Sequence, residues 1–258
     1  MNEFVNLSKN LMRDKWKLIN WVTIFELIAF VAIYLLRLVT GGWNGEIMPT
    51  YFVGVFAFET GIVSFVGFIM LSRSNEHVFT SNNYRLIPIS DTKLYFSNIL
   101  TTFLAYVYLQ ILGVVIGNII EFMTAGGVGQ MPKLSGEDLM TMGQFILLTI
   151  IGMILIWTGI TLVHFLINWI GGFLAFGRQK LVKFILYVVV TFVGLVIFNY
   201  TTGSVFKFVY ENMTPEGINN LNQFNNVIWI SIGVSAIWLV IFTVLNIYFL
   251  KRWIETIR

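Results

Sequence analysis

The stretch "FILLTIIGMILIWTGITLVHFLINWI", Phe145 to Ile170, decides the fold class. Its 26 residues contain no Asp, Glu, Lys or Arg, and His164 is its one ionisable side chain. A helix needs about 20 mostly apolar residues to cross the roughly 30 Å hydrocarbon layer, where only closed, hydrogen-bonded backbones survive. Such a run is a membrane span. The residues are continuously apolar instead of alternating, which excludes a β-barrel.

Five further stretches pass the same test. The six spans are expected at about 19–38, 51–71, 94–119, 145–170, 181–198 and 227–250. Composition agrees: 57% of the 258 residues are hydrophobic and 11% charged, with a mean hydropathy of +0.80. Too little polar surface remains to cover a water-soluble globule. The expected fold class is an all-α integral membrane protein with six transmembrane helices. The first span reads as retained, because seventeen or so polar and amphipathic residues precede it and no small-residue cleavage site follows.

Charge gives the orientation. With both termini inside, the cytoplasmic side carries Lys9, Arg13, Lys15, Lys17, Arg73, Arg85, Lys93, Arg178, Lys180, Lys183, Lys251, Arg252 and Arg258. That is 13 of the 16 Lys and Arg residues, leaving Arg37, Lys133 and Lys207 outside. The asymmetry follows the positive-inside rule, so the net charge of +3 is a topology signal and no nucleic-acid partner is expected. Absence of cysteine removes disulfides, thiolate catalysis and sulfur-ligated metals.

The arm before the first span, residues 1–18, has an amphipathic pattern. Phe4, Val5, Leu7, Leu11, Met12 and Leu18 share one helical face, and Lys9, Arg13 and Lys17 lie opposite. Lys15 breaks the pattern. Such a helix is expected along the inner membrane interface, its apolar side toward the acyl chains and its lysines toward anionic lipid headgroups. The alternative is an ordinary positive flank of the first span.

Two acids fall inside spans. Glu26 and Glu59 lie roughly 11 to 13 Å from the nearer span edge at 1.5 Å per residue. Exposing a carboxylate to lipid there is costly, so each must face protein or a wet cavity or carry a proton. They line a substrate path, or they are hydrogen-bonded helix glue. His164 is read as a hydrogen-bonded imidazole. Gly113 and Gly117 form a GxxxG in the third span, and Gly61, Ser64 and Gly67 make a small-residue strip in the second, a signature of close helix contact.

No catalytic constellation is present. The two histidines, His77 and His164, lie apart, and the sequence holds no HExxH and no GxxxxGK[ST]. The chain is therefore expected not to be an enzyme, and it has no P-loop for ATP. No metal site or cofactor of its own is expected.

The remaining feature is the polar insert between the second and third spans, "SRSNEHVFTSNNYRLIPISDTKLYFS", Ser72 to Ser97. By charge it is cytoplasmic, and it is longer than a simple turn requires. Pro88 biases Ile87 away from helical angles, and Ser90 or Asp91 can cap the next helix. It reads as a short helix presented to something soluble.

In this insert, running from Glu76 and Thr80 to "YRLIPISDTKLYFSNIL", Tyr84 to Leu100, the sequence resembles the type-2 ABC transporter permeases. The resemblance implies six spans, an N-terminal elbow helix at residues 1–18, and a cytoplasmic coupling helix that docks on an ATP-binding subunit. It implies contact through Glu76, His77, Thr80, Tyr84, Arg85, Pro88, Ser90 and Asp91. ATP and Mg would be held by that partner subunit, and a second permease, identical or homologous, would complete the path. It further implies export of amphipathic or hydrophobic substrates such as antimicrobial or toxin peptides across the cell membrane. It also implies short outer helices before the sixth span, for which Tyr200 to Asn226, with an apolar face of Val205, Phe208 and Val209, is the candidate. The rival readings are a gradient-driven transporter or channel working through Glu26 and Glu59, and a membrane-embedded enzyme.

Overall fold

The computed structural model describes residues 2–41, 49–81, 84, 87–125, 135–172, 179–213 and 221–252. Among the described residues six long helices follow in order: α1 (Asn2–Gly41), α2 (Pro49–Thr80), α3 (Asp91–Ala125), α4 (Gly136–Gly172), α5 (Gln179–Met213) and α6 (Leu221–Arg252). Each is long and apolar enough to cross a membrane, and no strand occurs among the described residues. The protein is an all-α, multi-pass membrane protein.

The helix ends follow local chemistry. Pro49 opens α2, a position where its missing N–H is no loss. Ser90 caps α3: its hydroxyl accepts from the Lys93 amide at 3.4 Å, and its carbonyl accepts from Leu94 at 3.0 Å. At α4 a reciprocal capping box forms. The Asp138 amide donates to Ser135 Oγ at 3.2 Å, while Ser135 N and Oγ both donate to Asp138 Oδ2, at 2.9 and 2.8 Å. At its far end α4 stops at Gly171 and Gly172.

The chain divides into two units, Met1–Pro132 and Lys133–Arg258. In the first, α1, α2 and α3 pack together around Ile19, Val22, Leu71, Ala105 and Leu109. Ser64 and Gly67 of the small-residue strip lie at a close helix contact, whereas Gly61 faces open space. A Cβ on Gly67 would come within 2.5 Å of Leu109, and one on Gly113 within 2.9 Å of the Thr60 methyl. Between them the Gln110 amide donates to Ser64 at 3.1 Å, joining α3 to α2. Close backbone approach needs these small residues.

The helix α1 runs without interruption through residues 18 and 19, where the amphipathic arm was expected to give way to the first span. At 1.5 Å per residue its 40 residues span about 60 Å, roughly twice the hydrocarbon thickness. The apolar face of the arm is turned to protein: Leu7 and Leu11 are buried against Val78 and Leu94, with Tyr84 and Ile89 at the edge. Phe4 is half-buried, and Lys9, Arg13 and Lys17 are exposed, as the helical wheel has them.

In the second unit α4 packs chiefly on α6. The Asn246 amide donates to the Thr158 carbonyl at 2.8 Å, and Thr141 donates to Asn225 Oδ1 at 3.0 Å. Phe242 lies 3.5 Å from where a Gly159 Cβ would sit. The helix α5 is different, because no side chain among its residues 181–212 is buried. It meets α6 through Trp238, whose indole N–H donates to Thr202 at 3.2 Å and whose ring lies 5.2 Å from Phe198.

One expectation is corrected here. Of Tyr200 to Asn226, the candidate for separate short helices, residues 200–213 are the unbroken end of α5 and 221–226 the start of α6, while 214–220 lie outside the described residues. The run "NYTTGS", 199–204, follows the expected span end at Phe198. Within the helix, however, Thr201 and Ser204 return their hydroxyls to the carbonyls of Ile197 and Tyr200, at 2.7 and 2.8 Å. The polar groups are satisfied internally and the helix continues.

Candidate functional site

Lys15, the residue that broke the amphipathic pattern, is 1% exposed. Its ammonium donates to four oxygens of α3: Asn98 Oδ1 at 2.7 Å, Thr102 Oγ1 at 2.7 Å, the Asn98 carbonyl at 2.8 Å and Thr101 Oγ1 at 2.9 Å. All four are neutral. A buried charge is tolerable only when its hydrogen-bonding capacity is filled, and three N–H donors shared over four acceptors fill it. The cage is tied to α2 as well, since Asn98 Nδ2 donates to the Asn75 carbonyl at 2.9 Å and Thr102 reaches Asn75 Oδ1 at 3.3 Å. One turn or so away, Ser8 and Ser97 hydroxyls meet at 2.7 Å. A single lysine thus bolts α1 to α3 at the level where α2 and α3 approach the polar insert.

The insert's residues occupy distinct positions. Glu76, His77 and Thr80 lie in the last two turns of α2, which extends through them, so they are not on a separate helix. His77 is exposed and Glu76 half-buried. Thr80 is buried, its hydroxyl donating to the Glu76 carbonyl at 3.2 Å. Tyr84 is half-buried, and its phenol donates to Asp14 Oδ2 on α1 at 3.4 Å. Burial, with the Asp14 carboxylate beside it, pushes the Tyr84 phenol above its ordinary range. Pro88 and Ser90 are exposed and Asp91 half-buried in the first turn of α3. Arg85 lies outside the described residues.

Glu26 and Glu59 come together. Both line one cavity of about 640 Å³ between α1 and α2, with Ala29, Ile33, Tyr51 and Phe58 among its other walls. Glu26 is 2% exposed and accepts a 2.7 Å hydrogen bond from the Thr60 hydroxyl. Glu59 is 8% exposed, and neither of its oxygens accepts a hydrogen bond. The two carboxyl groups lie close enough to interact electrostatically. Helix glue describes Glu26; it does not describe Glu59.

His164 is hydrogen-bonded, as expected: its Nδ1 and the Tyr187 hydroxyl, on α4 and α5, are 2.7 Å apart. No group of three or more metal-ligating side chains occurs among the described residues. Sequence reasoning missed the lysine cage. Its signal was present as Asn98, Thr101 and Thr102, polar residues at helical spacing in an otherwise apolar span, opposite a lysine that did not fit its own face. Comparison with family models, curated proteins and solved structures finds no match.

Proposed function

We propose that this chain is the membrane-spanning permease subunit of an ATP-driven exporter, with both termini in the cytoplasm and the insert between α2 and α3 as its contact with an ATP-binding subunit. The observation that carries the reading is the mechanical continuity of that insert. Val78 at the end of α2, Tyr84 and Ile89 in the insert and Leu94 at the start of α3 pack with Leu7 and Leu11 of α1. Lys15 fixes the same three-helix region one to two turns further on.

A push on His77, Pro88 or Ser90 would therefore move three helices as a body and would not be absorbed by a loose loop. That is the property a nucleotide-driven switch requires of its lever. ATP and Mg would be bound by the partner, a second permease would complete the path, and amphipathic or hydrophobic molecules, peptides among them, would be the cargo.

The test is recruitment. A tagged chain expressed from its own operon should copurify with an ATP-binding subunit, and the reconstituted complex should hydrolyse ATP faster with cargo. Reversing Glu76→Lys together with Arg85→Glu should abolish that stimulation. If no ATPase is recruited and export survives the double reversal, the insert is not a coupling element. Transport that persists without ATP and vanishes in Glu59→Gln would favour the gradient-driven reading.

A further inference from the structure

We infer that the cavity between α1 and α2 binds an amphipathic organic cation, an ammonium or guanidinium head on Glu59 with an apolar body along the walls. The charge balance of the lining points there first. Of its ten residues two are acids and none is Lys, Arg or His. Glu59 is more than nine-tenths buried, lines the cavity, and has both carboxyl oxygens without a hydrogen-bond donor. Glu26 is committed in part to Thr60, so Glu59 is the vacant acceptor.

The remaining wall selects the kind of cation. Ala29, Ile33, Val55, Ile62 and Val63 are hydrocarbon, and Phe58 offers a ring face that attracts positive charge; the Tyr51 ring already has the Arg37 guanidinium over it, 5.6 Å from its centroid. A hard metal ion would need about six oxygens, which this wall does not supply. An anion would find no Lys, Arg or His among the lining residues to pair with, and a neutral lipid tail would leave Glu59 without a hydrogen bond. Its volume of about 640 Å³ is room for a drug-sized molecule, held against an open wall on which Phe58 and Ile62 are exposed.

Binding itself does not depend on the exporter reading, although it would supply that reading with a cargo class. The probe is 4-phenylbutylamine, with 4-phenylbutanol as its neutral match, titrated by calorimetry into the full chain in phosphatidylcholine nanodiscs. Expected is saturable one-to-one binding of the amine, at least tenfold weaker binding of the alcohol, and at least a tenfold loss with Glu59→Gln. Glu59→Asp should keep most of the affinity, and Glu26→Gln should lose less than Glu59→Gln.

Equal binding of amine and alcohol would show a merely apolar groove and overturn the inference. So would unchanged amine binding in Glu59→Gln, or no saturable binding. A second readout needs no variant: dicyclohexylcarbodiimide labelling of Glu59, followed by mass spectrometry, should be slowed tenfold by the amine and not by the alcohol. Undiminished labelling under saturating amine overturns the assignment even if Glu59→Gln fails to fold. No ATPase is present in either experiment, so failure here leaves the coupling-insert reading standing, and failure there leaves this one.

Discussion

Residues 2–125 bury a lysine and two glutamates, whereas the described residues from 135 to 252 bury no charged side chain. Both regions are three long helices, and the second set is the greasier, with mean hydropathy of 2.4 to 2.7 across its spans against 2.0 to 2.2 in the first. Lipid tails are as apolar as leucine, and helices in a bilayer associate through packing and polar contacts. The first unit uses a caged cation, a Thr60–Glu26 bond and glycine-mediated approach. The second relies on single amide and hydroxyl bonds, and aromatic contacts occur in both, Phe30 with Phe56 in the first and Phe198 with Trp238 in the second. The difference is one of specificity: an amine shared among four acceptors constrains the docking geometry far more than a single amide or hydroxyl bond does.

The sharpest way to break this contrast is to remove the largest polar contact from each unit. Lys15→Met strands several buried acceptors and should destabilise the chain by about 3 kcal/mol. That corresponds to a fall in detergent melting temperature on the order of 5–10 °C. Asn246→Ala in the second unit should cost only about 0.6 kcal/mol, the average for a hydrogen bond between membrane helices. Equal effects in thermal unfolding would mean the cage is not a bolt.

Glycine replacement gives the next contrast. Gly113→Ala forces a methyl to within 2.9 Å of Thr60 and should destabilise by about 1–2 kcal/mol. Gly152→Ala in α4 meets open space and should stabilise by roughly 0.5–1 kcal/mol. Opposite signs in paired melting curves are the expected result.

The helix caps differ less. Ser135→Ala dismantles a three-bond box and should cost about 1 kcal/mol, whereas Ser90→Ala loses one long 3.4 Å bond and should cost about half that. Smallest is the effect of alkali on Tyr84. Its phenol holds its proton more tightly in the folded chain than in the unfolded one, so the associated stability is fully present below about pH 10 and lost as pH rises above it. Tyr84→Phe should remove this alkaline sensitivity from the pH dependence of unfolding.

Much of the fold is legible in the sequence because span existence depends on local run length, which needs no partner. All six expected spans fall inside α1 to α6. The ends are less legible: α5 outruns its expected limit of Phe198 because Thr201 and Ser204 bond their own helix, a choice that composition does not reveal. The site is only half legible. Glu26 and Glu59 stand out as intramembrane acids, but their convergence on one cavity depends on the rotational phase of α1 against α2. Lys15 stood out as an anomaly, yet its acceptors lie more than eighty residues later in the chain.

That separation has a consequence for biogenesis. Lys15 cannot shed its water until Thr102 has been synthesised, 87 residues on, which at about 5–20 residues per second is a wait of roughly 4 to 17 s. During that interval the Lys15 ammonium must stay hydrated, and its final seating reports that the third helix has arrived in register.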